Sequence, residues 1–409
     1  MESAFIERVI YLEFGAHDLF TLRVIWISDS PDTPSGFGNV TQYICNGLAS
    51  KGFEVHIFGW QTLYHNIPWR NCTLHSGRYP DFGARVAYDY AQKVPTDCII
   101  TLGDAFWFES IHRVKLNEWF HRAGAKWVLY YPVDGETGAG MIPDRWVQII
   151  RTADRKIVCS HYGQEVSKRS GLDVGFIPHG VDTDLFCPPD DKEEAKAKLN
   201  YDGFFVVLCD ARNQKRKMLV ALLEAFRRFA DGKEDVLLHL HTDPDDPAAE
   251  EAGYDLRAII RQLDLQKKVR FTNGFRYNRG LQLGELSAIY QSSDVHLLTS
   301  GGEGFGLPTL QAAATGVVPM ATDYSANPEL ISGHGELIRV KSFQEDRFGI
   351  KRALIDLDDC ADKLEKYYRS PTLTHETGKA AREFAFNYSW NKILSMWSDL
   401  LSGLLEDRK

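Results

Sequence analysis

DVHLLTSGGEGFGLPTLQAAATGVVPMATD (294–323) is the stretch that decides the fold. Its first seven residues, 294–300, read as a short buried strand ending in small polar residues. Four glycines then surround Glu303 and Phe305, and Leu307-Pro308 opens a helix over 307–316, with Pro308 near the first helical position. VVPMATD (317–323) is the next strand. A strand, a turn, a helix and another short apolar strand make a unit of parallel sheet.

The same alternation extends outward in both directions. FFVVLCD (204–210), VLLHLHTD (236–243), VRFTNG (269–274) and ELIRV (336–340) read as strands. Helices over 217–230, 255–265 and 283–293 separate them. Further upstream, LRVIWISDS (22–30), FEVHIFG (53–59), DCIITLG (97–103), KWVLYYPVD (126–134) and KIVCS (156–160) repeat the pattern, with helices at 40–52, around 107–122 and at 161–170. Continuous apolar strands alternating with helices imply parallel sheets covered on both faces. The alternation breaks at GFIPHGVDTDLFCPPDDKEE (175–194), a proline-, glycine- and acid-rich linker. The expected organisation is α/β, with two doubly wound domains in tandem over 22–183 and 184–375. A 1–21 extension precedes them and helices over 376–409 follow. In the last helix Trp390, Ile393, Leu394, Trp397, Leu400, Leu401 and Leu404 form one apolar stripe, expected to pack within the protein, back on the first domain. Residues 60–95 show no interpretable pattern.

Composition narrows the class. At roughly 150 residues per domain, 409 residues suit two or three domains. With 47 basic against 56 acidic residues the net charge is −9. A nucleic-acid partner is therefore not indicated, although a local basic groove would suffice for one. Seven cysteines, an odd number with no Cys-x-x-Cys pair, argue against a disulfide framework and for a reducing, cytoplasmic setting. No run approaches the roughly 18 apolar residues of a membrane helix, so no stable insertion is expected. Charges interrupt the first twenty residues, which do not read as a signal peptide.

Ligands of doubly wound sheets bind beyond the carboxyl ends of the strands. Three loops there carry chemistry. In SGGEGFGLPTLQ (300–311), glycines and a helix start offer backbone N–H groups to an anion, with Glu303 beside them to accept from sugar hydroxyls. In ARNQKRKM (211–218), Arg212, Lys215, Arg216 and Lys217 lie at a strand end and helix start, where two cations would suit a diphosphate; Lys215 and Arg216 read equally well as a solvated basic loop. In DSPDTPSGFGN (29–39), Gly36 and Gly38 allow close backbone approach. Asp243-x-Asp245 has the look of a metal-binding pair, yet a solvated acidic turn is the simpler account. His239 and His241 share a strand face but make a poor zinc site, and no metal is expected. Trp107, Trp119, Trp127 and Trp146 suit either aromatic packing or stacking on a sugar acceptor.

IPHGVDTDLF (177–186), the Arg212-x4-Lys217 pair followed by LLEAF (222–226), and EGFGLPTLQAAATG (303–316) together resemble retaining glycosyltransferases of family 4, from about residue 22 to 400. The resemblance implies the two-domain GT-B fold and a nucleotide diphosphosugar donor held mainly by the second domain. By position, Arg212 and Lys217 match the diphosphate pair. Glu303 matches the first glutamate of a Glu-x7-Glu motif that contacts the donor sugar. Gly304, Phe305, Gly306 and Leu307 match the loop around sugar and phosphate, Asn273 and Gly274 lie near the base, and Gly36 matches the first-domain glycine loop. Glu329 matches a glutamate that commonly follows the motif.

Two departures stand out. Gln311 replaces the second glutamate, and Asp134 is the nearest polar residue where many members carry a histidine. The implied reaction is metal-independent, requires no cofactor, and moves a sugar to an acceptor hydroxyl without a protein nucleophile. The acceptor class is open: glycan, lipid, protein or modified base. A nucleotide-sugar-binding protein with weak or lost catalysis, or an epimerase of the same fold, is the alternative.

Overall fold

The computed structural model describes residues 22–77, 82–108, 116–246, 253–276 and 279–406. Among these, the first sheet has the order β3-β4-β2-β1-β5-β6-β7-β8. Its strands are β1 (Arg23–Ser28), β2 (Glu54–Gly59), β3 (Ile67–Trp69), β4 (Cys72–Ser76), β5 (Cys98–Leu102), β6 (Lys126–Tyr131), β7 (Arg155–Val158) and β8 (Gly175–Phe176). The central strands are buried along nearly their whole length, because helices cover both faces and no side of the pleat reaches water.

The second sheet has the order β11-β10-β9-β12-β13-β14. It comprises β9 (Phe205–Asp210), β10 (Val236–His241), β11 (Val269–Phe271), β12 (Val295–Leu298), β13 (Val318–Thr322) and β14 (Glu336–Ile338). Each pairing in it is parallel. An antiparallel hairpin follows, β15 (Val340–Glu345) with β16 (Lys351–Ile355).

Several details differ from the sequence reading. Within 60–95 the chain forms β3, β4 and the helix Ala84–Ala91. Both strands are short, and Pro68 sits on the edge strand β3, where its missing N–H costs nothing. The expected helix around 107–122 is a single 3-10 turn, Ala105–Phe108, and then the helix Leu116–Arg122; the residues between lie outside the described ones. The helix expected from 217 begins at Leu219, because Lys215–Lys217 forms a 3-10 turn and Met218 takes a left-handed conformation, φ 52°.

The last helix, Trp390–Glu406, lies on the helix Gly36–Ser50 of the first sheet's layer. Trp397 meets Trp26 and Tyr130 edge-on, at ring centroid distances of 5.7 and 5.0 Å, and Trp390 stacks on Tyr43 at 4.9 Å. A Cβ on Gly47 would stand 2.3 Å from Leu394 Cδ1. The stripe of residues 390–404 is thus spent on tying the chain's end to its beginning. Among the described residues no helix is long and apolar enough to cross a membrane.

Candidate active site

The two sheets face each other with their strand carboxyl ends inward, and the loop after β12 lies at the seam. Its backbone is fixed first. Gly306 has φ 108°, a conformation costly for any side chain, and serves as the N-cap of the helix Leu307–Ala314 with no side chain capping it. Glu303 N–H donates to Ser325 Oγ at 2.7 Å, and Gly301 N–H donates to the Arg216 carbonyl at 2.7 Å. The 3-10 turn of 215–217 and the glycine loop are therefore held as one piece.

That piece carries the charges. Lys217 Nζ donates to Glu303 Oε1 at 2.6 Å, and Arg216 lies 3.4 Å from Glu303 Oε2. Arg216 also donates to the Gly302 carbonyl and reaches Asp134 Oδ2 at 3.3 Å. Glu303 is buried. Burial by itself would raise its carboxyl pKa, but Lys217 and Arg216 outweigh that and hold it down at about 2. Burial also lowers the Lys217 ammonium, while Glu303 opposes the shift. Glu303 is thus an ionised carboxylate between two cations, beside an uncapped helix start.

The first domain closes on this loop. A Cβ on Gly302 would fall 1.9 Å from the Asp134 carbonyl oxygen, and one on Gly304 would fall 2.3 Å from Pro132 Cβ. Asp134 Oδ1 is 3.0 Å from Arg352 of β16, which also donates to the Asp134 carbonyl and is held on its other side by Asp346. Gly36, at the start of the helix Gly36–Ser50, faces Leu307, whose Cδ1 would lie 3.6 Å from an added Cβ. Phe305 packs edge-on against His179 at 5.0 Å.

The remaining sequence candidates are placed as follows. Arg212 is exposed and donates to the buried Asp246 at 2.9 Å, so it and Lys217 engage different carboxylates. Gln311 is buried, and its Oε1 accepts from Tyr290 OH at 3.4 Å, while the same hydroxyl donates to Asp210 at 2.8 Å. Asn273 and Gly274 form an exposed turn after β11. Glu329 turns away from the glycine loop. Its two oxygens accept from the N–H groups of His161 and Tyr162, while Ser160 Oγ accepts from Gly163 N–H. The first three amides of the helix His161–Arg169 are thereby satisfied, two of them from the other domain. Asp245 accepts two bonds from Arg257, which occupies the acidic turn with an ion pair. His239 and His241 both bond Thr272 Oγ1 at 2.8 Å.

Three residues take roles that the sequence reading does not assign. Arg216, weighed there as a solvated loop residue, instead bridges Asp134, Gly302 and Glu303. Arg352 sits on a hairpin whose existence was not foreseen. Asp104, just after β5, lines a 340 Å³ cavity with Asp134, Arg216 and Arg352. Burial raises its carboxyl pKa to about 7; Asp134 and Asp29 push the same way, and Arg216 and Arg352 oppose. The readable signal was positional: Asp104, like Asp134, ends a strand at the cleft.

Comparisons with known proteins bear on the fold and on the class of protein it resembles. Residues 190–384 match the family model of Glycosyl transferases group 1. The lipopolysaccharide core biosynthesis mannosyltransferase LpsB of Rhizobium meliloti (strain 1021) is 34% identical over 168 residues, 39% of this chain and 43% of that protein. The D-inositol 3-phosphate glycosyltransferase of Paenarthrobacter aurescens (strain TC1) is 24% identical over 283 residues, 67% of this chain and 62% of that protein. The matches span less than two thirds of either relative. Among solved structures, sucrose-phosphate synthase from Thermosynechococcus elongatus superposes with a TM-score of 0.74 at 18% identity, covering 94% of this chain and all of that one. Anabaena Alr3699/HepE in complex with UDP-glucose superposes with a TM-score of 0.72 at 14% identity, covering 93% of this chain and all of that one. The fold is GT-B. Within it, residues 190–384 are the part that resembles Glycosyl transferases group 1.

Proposed function

We propose that this protein is a retaining glycosyltransferase that moves a sugar from a nucleotide diphosphosugar to an acceptor hydroxyl. The observation that carries the reading is the Glu303 carboxylate, held by Lys217 and Arg216 beside an uncapped helix start. A carboxylate in that setting is suited to accept from donor-sugar hydroxyls. The cations and the helix amides are suited to the leaving diphosphate. In the step itself the bond from the anomeric carbon to the diphosphate oxygen breaks, and the bond to the acceptor oxygen forms on the same face. The hydroxyl proton leaves on the diphosphate, so no protein nucleophile is required.

Charge on the leaving group is met by Lys217, Arg216 and Arg212, which is the basis for reading the reaction as metal-independent. Gln311 retains a carbonyl acceptor for ribose but, being neutral, makes the weaker bond, about half the strength of a charge-assisted one. The HepE complex holds UDP-glucose, and LpsB is named a mannosyltransferase; both donor types suit the site. The free cysteines support a cytoplasmic setting.

The test is a thermal-shift screen of UDP, GDP and ADP and their sugar conjugates, with and without magnesium. A ligand at 100 times its dissociation constant adds about 2.7 kcal/mol, a visible shift. One nucleotide should stand out, its shift should not need magnesium, and Lys217→Ala should reduce it. Well-folded protein that responds to none of them overturns the reading.

A further inference from the structure

The 340 Å³ cavity at the seam has one charged end and one apolar wall. At the charged end, Asp104 lies near Arg216 and Asp134. Asp134 is engaged by both Arg216 and Arg352. The Asp104 carboxylate, half-buried, makes no side-chain hydrogen bond or ion pair among the described residues. A carboxylate left in such a place is costly unless something donates to it.

The apolar wall is aromatic and is shared between domains. Phe106, Trp107 and Trp146 come from the first domain, and Phe348 comes from the tip of the β15–β16 hairpin. Phe348 stacks on Phe106 at 5.7 Å and meets Trp146 edge-on at 5.3 Å. The indole N–H of the buried Trp146 has no hydrogen-bond partner among the described residues. A cavity with unspent polar groups and ring faces around it has the make-up of a small-molecule pocket.

We propose that this cavity binds the acceptor, an alcohol borne on an apolar, ring-containing body such as an aryl glycoside, with Asp104 accepting the hydrogen bond of the hydroxyl that will react. The proposal rests on the transfer reading above and names its acceptor side. Asp104 orients the hydroxyl and does not keep its proton, which leaves on the diphosphate. The aromatic wall, completed only when the hairpin is in place, holds the body. Asp29, Asp134, Arg216 and Arg352 set the field around Asp104. With its carboxyl raised to about 7, Asp104 accepts fully at pH 8 and loses that capacity as pH falls below 7.

The experiment is calorimetric titration of the full chain with phenyl and methyl β-glycosides of glucose, galactose and mannose, with UDP, GDP or ADP present. At least one phenyl glycoside should bind tenfold or more tightly than its methyl counterpart. Phe348→Ala, at the half-buried hairpin tip, should shrink that ratio below threefold. Asp104→Asn should weaken both glycosides and abolish the difference between pH 6 and pH 8, with nucleotide affinity unchanged as the check on folding. Phenyl and methyl glycosides that bind alike, or not at all, overturn the proposal, as does an Asp104→Asn variant that binds like the parent. If glycosides bind as expected but no nucleotide does, the cavity stands and the transfer reading falls.

Discussion

The two walls of the cleft are built by opposite strategies. On the second-domain side, Glu303, Gly306 and the helix from Leu307 are neighbours in the chain, and Lys217 joins them through one short turn. On the first-domain side, Asp104, Asp134 and Trp146 come from separate strand ends and a helix, and Phe348 and Arg352 reach them from a distant hairpin. A donor-type wall needs backbone amides, close approach and one fixed carboxylate, which a single loop can supply. A wall shaped for a varied ligand is assembled from surfaces, and its residues share no local pattern.

The sharpest break of this comparison is Glu303→Gln. Transfer should fall about 100-fold or more, the range seen when one preorganised transition-state partner is removed. Initial rates on the nucleotide sugar found by screening would measure it, and a drop of less than threefold would place the chemistry elsewhere. The same variant has an acid signature. The Glu303 carboxyl is held at about 2 against an ordinary value of 4.5, so its ionised form adds stability above pH 4.5 that is lost as pH falls through 2. Melting temperature should fall less steeply with acid in Glu303→Gln than in the parent.

Gly302→Ala tests the contact between the walls. The new methyl would overlap the Asp134 carbonyl oxygen, and relieving the overlap should cost about 2 kcal/mol. Chemical denaturation would read it. An unchanged midpoint would mean that the walls separate freely in solution.

Glu329→Gln is the smallest effect. It leaves an acceptor over the helix His161–Arg169 but removes the charge facing its amides, a loss of about 1 kcal/mol. Nucleotide affinity should not change; if it falls tenfold, Glu329 belongs to the donor wall rather than to the interdomain cap.

Much of the second-domain wall was legible, because its requirements are local. A glycine at a left-handed position, a proline at a helix start and a carboxylate between them leave a fixed imprint on consecutive residues. The role of Arg216 is not legible because a run of three cations, Lys215-Arg216-Lys217, does not say which side chain turns inward. That choice was made by the left-handed Met218 and by the Arg216 carbonyl accepting from Gly301. The contact of Glu329 with the helix His161–Arg169 is not legible in the sequence, because that helix start lies 168 residues away.

By itself the sequence determined two sheets that are parallel outside the antiparallel β3–β4 pair, the alternation of their strands with helices, and the loop that bears Glu303. Apolar periodicity and glycine placement are enforced residue by residue, whatever the rest of the chain does. Only the tertiary structure decided that Arg216 and Arg352 converge on Asp134, that the Asp104 carboxylate has no side-chain partner among the described residues, and that a hairpin tip completes an aromatic cavity. Those outcomes depend on how closely two rigid sheets approach. That distance is set by packing between segments hundreds of residues apart, and no local pattern records it.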